Sequence, residues 1–145
     1  MDTNIKFAKT DLEILSCFEG MKELRPHLIL EDFLCRVREQ EKEGYRICYL
    51  EEENKPLAIV GFRVGHNLAW GRFLYVDDLV TLPDYRSQGH GATLLKWLLE
   101  YAITENCDQV HLDSGVWRAD AHRFYEREGL ELSSYHFRKL LKKPS

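Results

Sequence analysis

An apolar strand-like run, a glycine-bearing turn and a helix-like run follow one another between residues 79 and 99, and few architectures accept that order. Leu79-Val80-Thr81-Leu82-Pro83 leads into Asp84-Tyr85-Arg86-Ser87-Gln88-Gly89-His90-Gly91-Ala92, and Thr93-Leu94-Leu95-Lys96-Trp97-Leu98-Leu99 continues as helix. Glycine lets backbone N–H groups come close to a ligand, and a helix start presents unpaired donors with a partial positive charge. Such a turn attracts phosphate or pyrophosphate. Arg86-x-x-Gly89-x-Gly91 is not the dinucleotide fingerprint, which needs three glycines and a later acid. Nor is it a P-loop, since no Gly-Lys-Ser/Thr follows. Taken alone, it also fits an ordinary strand-to-helix connection, so the rest of the chain must decide.

The 145 residues suit a single domain with its own core. No apolar run approaches a membrane span, and the first residues lack the apolar centre of a signal peptide. Cys17, Cys35, Cys48 and Cys107 are far apart and form no Cys-x-x-Cys pair. They read as buried free thiols rather than disulfides or metal ligands, which gives a cytoplasmic expectation and no metal site. A net charge of −4 without a basic stripe argues against nucleic-acid binding.

Ile5 to Ala8 is a short strand candidate. Thr10-Asp11 then caps a helical pattern through Leu12, Leu15, Phe18 and Met21 that Pro26 ends. A second helix is expected over 30–42, with Gly44 as its stop. Strands follow at 45–50, 57–64 and 73–82, the first two joined by a polar hairpin connection, Glu51 to Pro56. The pattern then gives a buried helix at 91–104, a short strand at 110–112 and a helix at 119–128 stopped by Gly129. Residues 130–141 alternate weakly and read as one or two terminal strands, before a frayed tail. The order β-α-α-β-β-β-α-β-α-β is one mixed α/β domain.

This order, with Arg86 at the turn after the fourth strand, resembles the GNAT superfamily of acyl-CoA-dependent N-acetyltransferases. Asp78 to Ala92 looks like the family's strand and pyrophosphate loop, (Arg/Gln)-x-x-Gly-x-(Gly/Ala). Ala121-His122-Arg123-Phe124-Tyr125-Glu126-Arg127-Glu128-Gly129-Leu130 looks like its later helix, Ala-x-x-Phe-Tyr-x-x-x-Gly-Phe, with Leu130 in place of Phe. The resemblance implies one N-acetyltransferase domain over residues 1–145. It also implies a mostly antiparallel sheet of six or seven strands flanked by helices. By the same resemblance two parallel strands, 73–82 and 109–113, would splay apart around acetyl-CoA. Backbone of Leu79, Val80 and Thr81 would hold the pantetheine arm as an added strand does. Arg86 and the N–H groups of Ser87, Gln88, Gly89, His90, Gly91 and Ala92 would hold the pyrophosphate. Dimers are frequent among such proteins, so a homodimer is an expected assembly.

Acetylating an amine requires loss of its proton, donors for the developing oxyanion, and a proton for the departing thiolate. A backbone N–H near Val80 suits the oxyanion. Tyr125 matches the family position that commonly serves the thiolate, and a phenol with pKa near 10 is protonated at neutral pH. Asp77 and Asp78 are neighbours on a strand and are expected on opposite faces. In the diamine acetyltransferase branch a carboxylate matching Asp77 supports the amine side, which implies Asp77 as base or as anchor for a cationic amine. His111 is an outside candidate for the base, and more simply a satisfied core histidine. Trp70, Tyr75 and Trp117 could line an acceptor pocket, since aromatic faces attract cations. The reading is acetyl transfer to a small-molecule amine, polyamine-like or antibiotic-like. The alternatives are a protein N-terminus or lysine as acceptor, or a non-catalytic acyl-CoA-binding module.

Overall fold

The computed structural model describes residues 4–142. Two compact units divide the chain after Leu112. The first contains β1 (Ile5–Phe7), α1 (Asp11–Ser16), α2 (Phe18–Leu24), α3 (Leu30–Glu41), β2 (Arg46–Glu52), β3 (Lys55–Asn67), β4 (Gly71–Thr81), α4 (His90–Thr104) and β5 (Gln109–Leu112). The second contains α5 (Ala119–Arg127).

The five strands form one sheet in the order β1-β2-β3-β4-β5. All neighbours run antiparallel except β4 and β5, which are parallel. Alternation on β2 and β3 supplies two cores. Ile47, Tyr49 and Ile59 pack with Ile14, Met21, Phe33 and Val37 from α1, α2 and α3. Cys48, Leu50, Ala58, Val60 and Phe62 pack on the other side with Leu94, Leu98 and Ala102 of α4. Both faces of these central strands are therefore dry, which explains their near-continuous apolar runs.

Local signals set several boundaries. Thr10 and Glu13 form a reciprocal capping box at the start of α1, an arrangement worth about 1 kcal/mol. Gly44 and Gly129 take the left-handed conformation just beyond α3 and α5, the conformation a chain needs to leave a helix there. Glu53 and Asn54 both have positive φ in the β2–β3 hairpin, as a two-residue primed turn demands.

The structure corrects some expectations. The first helical stretch is two helices, broken where Cys17 (φ −88°, ψ −4°) sends its N–H to Ile14. Among the described residues the sheet has five strands rather than six or seven, and residues 131–140 carry no strand. Weak alternation supplies side-chain faces but no ladder, and a strand exists only with a partner. All four cysteines are free, yet only Cys17 and Cys48 are buried; Cys35 is exposed and Cys107 half-buried. Burial pushes the Cys17 thiol up to about 12, which keeps it protonated rather than thiolate at neutral pH. No helix among the described residues is long and apolar enough to cross a membrane.

Candidate active site

The ladder between β4 and β5 ends at Val76 and Leu112, while β4 runs on beside β3 to Thr81. Within the first unit, residues 77–81 thus keep a strand edge that β5 does not pair. Leu79, Val80 and Thr81 lie on this stretch, with Val80 buried and its neighbours half-buried. A single 3-10 turn, Pro83–Tyr85, carries the chain to the loop that opens α4.

That loop has the geometry of an anion cradle. Ser87 (φ 64°) and Gly89 (φ 85°) both adopt left-handed backbone, and Gly89 is the N-cap of α4 with no side chain bonding the helix start. The first N–H groups of α4, at His90, Gly91 and Ala92, therefore face outward as donors with the positive end of the helix dipole behind them. A Cβ built on Gly89 would meet no atom within 4 Å, so open space lies over its backbone. Arg86 is exposed and bonds the Thr81 carbonyl through Nε at 3.3 Å, tying the loop to the end of β4. His90 approaches Gln88 at 3.3 Å and stays at the loop surface.

Asp77 and Asp78 do not sit on opposite faces. Gly61 pairs with Asp78 and Phe62 with Val76, leaving Asp77 as an extra residue in β4. This bulge resets the alternation. Leu74 and Val76 belong to the α4 core, whereas Val80, of the same parity, belongs to the opposite one. Both carboxylates consequently join one cluster. Asp78 accepts from Tyr45 Oη at 2.7 Å and from Arg25 Nε at 3.0 Å. Asp77 accepts from Arg63 Nε at 2.9 Å, and its carbonyl accepts from Arg25 Nη2 at 2.8 Å. The Arg63 guanidinium lies 5.6 Å from the Tyr45 ring centre. Burial raises the Asp77 pKa against the opposing pull of Arg63, and burial followed by Asp78 drives that of Tyr45 well above the ordinary phenol value. Gly61 is part of the design, because a Cβ there would collide with the Tyr45 ring.

These contacts give the two acids different expected roles. Asp78→Asn should lower stability by roughly 1–2 kcal/mol, because it weakens charge-assisted bonds to both Tyr45 and Arg25. Asp77→Asn should cut kcat and cost less stability than Asp78→Asn, because it weakens one such bond, from Arg63. Thermal unfolding beside steady-state kinetics separates them; equal kcat losses in the two variants would remove the distinction.

Other candidates find different surroundings. Tyr125 is half-buried on α5, with its ring 5.3 Å from that of Phe124. Burial raises its pKa, with Arg118 pulling the other way. His111 stacks on Trp70 at 3.4 Å and bonds Gln109 at 2.6 Å. Trp70 also meets Phe73 edge-on. Trp117 is 80% exposed. The arginines at the bulge escape sequence reading because Arg25 and Arg63 lie 53 and 14 residues from the acids they hold, and no local pattern reports such pairing.

The chain is similar to several known proteins. A protein of Bacillus subtilis named as an N-acetyltransferase, YhdJ, is 37% identical over 121 residues, covering 82% of this chain and 85% of its own length. Aminoalkylphosphonate N-acetyltransferase of Salmonella typhimurium is 41% identical over 66 residues, covering 46% of this chain and 43% of its own. The chain thus spans less than half of that second relative. Among solved structures, AAC(6')-Iy in complex with a bisubstrate CoA analogue superposes with a TM-score of 0.81 at 12% identity, covering 97% of this chain and 99% of that one; this likeness concerns the fold. Residues 12–130, which include the unpaired end of β4, the α4 cradle and α5, match the Acetyltransferase (GNAT) family, and the chain belongs to it as an acetyl-CoA-dependent acyltransferase.

Proposed function

We propose that the protein moves the acetyl group of acetyl-CoA to a primary amine of a small molecule, by direct attack within a ternary complex. The observation that carries this reading is the outward-facing N–H cradle at Gly89–Ala92, joined to a strand edge that β5 leaves free. The chemistry of these donors fits the co-substrate. Ser87 to Ala92 would hold the pyrophosphate, Arg86 would add charge, and Leu79, Val80 and Thr81 would bond the amide groups of the pantetheine arm. Family membership and relatives that acetylate small amines, such as the aminoalkylphosphonate enzyme, support a small acceptor.

When bound, acetyl-CoA supplies an activated thioester, whose acetyl carbon exchanges its bond to sulfur for one to nitrogen. Asp77 takes the proton that the amine gives up. Its raised pKa makes it a better base than an exposed aspartate, because burial penalises the carboxylate. Tyr125 donates its phenol proton to the departing thiolate and recovers one from solvent. The free thiols and the need for CoA support action in the cytoplasm. A screen of small amines, aminoglycosides and peptides for CoA-thiol release tests the reading. Turnover of small amines is expected. Turnover of peptides alone, or CoA binding without release from any acceptor, would overturn it.

A further inference from the structure

Resting on the amine-acetylating reading above, we infer that the acceptor carries an acidic group, carboxylate or phosphonate, a few carbons from its amine, and that Arg63 recognises it. At the β4 bulge the Asp77 and Asp78 carboxylates are each paired to a guanidinium, and a third carboxylate, Glu43, stands loosely at the outer side of Arg63. What the cluster shows to solvent is uneven. The side chains of Arg25 and Arg63 are 46% and 27% exposed, against 14% and 26% for Asp78 and Asp77.

The hydrogen bonds sharpen this picture. Asp78 is committed on both oxygens, to Arg25 and to Tyr45. Asp77 is held only at Oδ2, and its Oδ1 has no hydrogen-bond partner among the described residues. Arg63 likewise uses Nε on Asp77, and its Nη1 reaches only Glu43 at 3.8 Å, a carboxylate 75% exposed. The outer edge of a guanidinium is a planar fork of donors that matches two oxygens of a carboxylate or phosphonate. Tyr45 against the guanidinium face helps to fix that plane.

One carboxylate oxygen without a hydrogen-bond partner among the described residues and one guanidinium edge approached only by the exposed Glu43 therefore belong to two side chains joined by a 2.9 Å bond. They are counterparts for the two ends of a short zwitterion. A polyamine would bring a second positive charge against Arg63, which selects against it.

The test measures CoA-thiol release by the full chain with aminoethylphosphonate, β-alanine, propylamine and spermidine. Calorimetry of the same compounds added to the protein with CoA supplies a readout independent of turnover. The acids should be preferred, and comparing the first two probes tells phosphonate from carboxylate. Arg63→Gln should lower kcat/KM for the acids about 10- to 100-fold, weaken their calorimetric affinity in parallel and leave CoA affinity intact. Arg63→Lys, which keeps charge without the fork, should recover part of the preference and guards against a folding defect. Equal or better turnover of propylamine or spermidine, or a preference that survives Arg63→Gln, overturns the inference while amine acetylation stands. No thiol release from any amine, with CoA still bound, brings down the parent reading and this inference together.

Discussion

Gly89→Val is expected to weaken CoA binding by about a hundredfold, measured by titration calorimetry against the unmodified protein. Gly89 has φ 85°, and a β-branched residue there is a steric outlier costing up to roughly 3 kcal/mol. The loop can relieve that cost only by leaving the left-handed region, which turns the first N–H groups of α4 away from a common focus. The new side chain would also occupy the open space over the Gly89 backbone, where a ligand must approach. The protein itself has no atom in that space, so the fold should persist and far-ultraviolet circular dichroism should not change. Gly89→Ala would separate the two effects, since it adds strain with little bulk. Undiminished CoA affinity in the valine variant would refute the cradle.

Tyr125→Phe should lower kcat about a hundredfold with little effect on CoA affinity, the size typical of a lost general acid. The pH profile carries the sign of the argument. Burial raises the Tyr125 pKa, so the phenol stays protonated beyond its usual value, and Tyr125 should cause no alkaline decline below about pH 10. Asp77 is also raised, above 3.8. It must lose its proton to act as base, so the acidic limb should lie above that value, with rate rising as pH increases through it. Asp77→Asn should remove this limb while retaining the alkaline behaviour. A Tyr125→Phe enzyme with full kcat across the range would reduce the tyrosine to a packing residue.

Much of the architecture is legible in the sequence because its signals are local. The helix expected at 30–42 forms as Leu30–Glu41, since an apolar stripe and a terminal glycine each act within one or two turns. The order of strand, turn and helix from residue 79 onward held for the same reason. What escaped was set at long range or left no compositional mark. Nothing at Cys17 resembles a helix breaker, yet α1 and α2 part there. Strict alternation placed Asp77 and Asp78 apart, because a period of two cannot register one inserted residue. Arg25, Arg63 and Tyr45 gain meaning only when the sheet and α2 bring them to the same two carboxylates.

The extra residue in β4 has a further consequence for how this strand can vary. Before Asp77, side chains are phased to pack under α4 and beside β5; after it, they are phased to the opposite core and the open edge. One continuous strand thus carries two independent reading frames. Deleting Asp77 would not merely remove a carboxylate. The pairs from Gly61–Asp78 to Ala58–Thr81 would follow Phe62–Val76 without a break, so Val80 would keep its core, and what would go is the local bend and the shared side on which the two carboxylates meet.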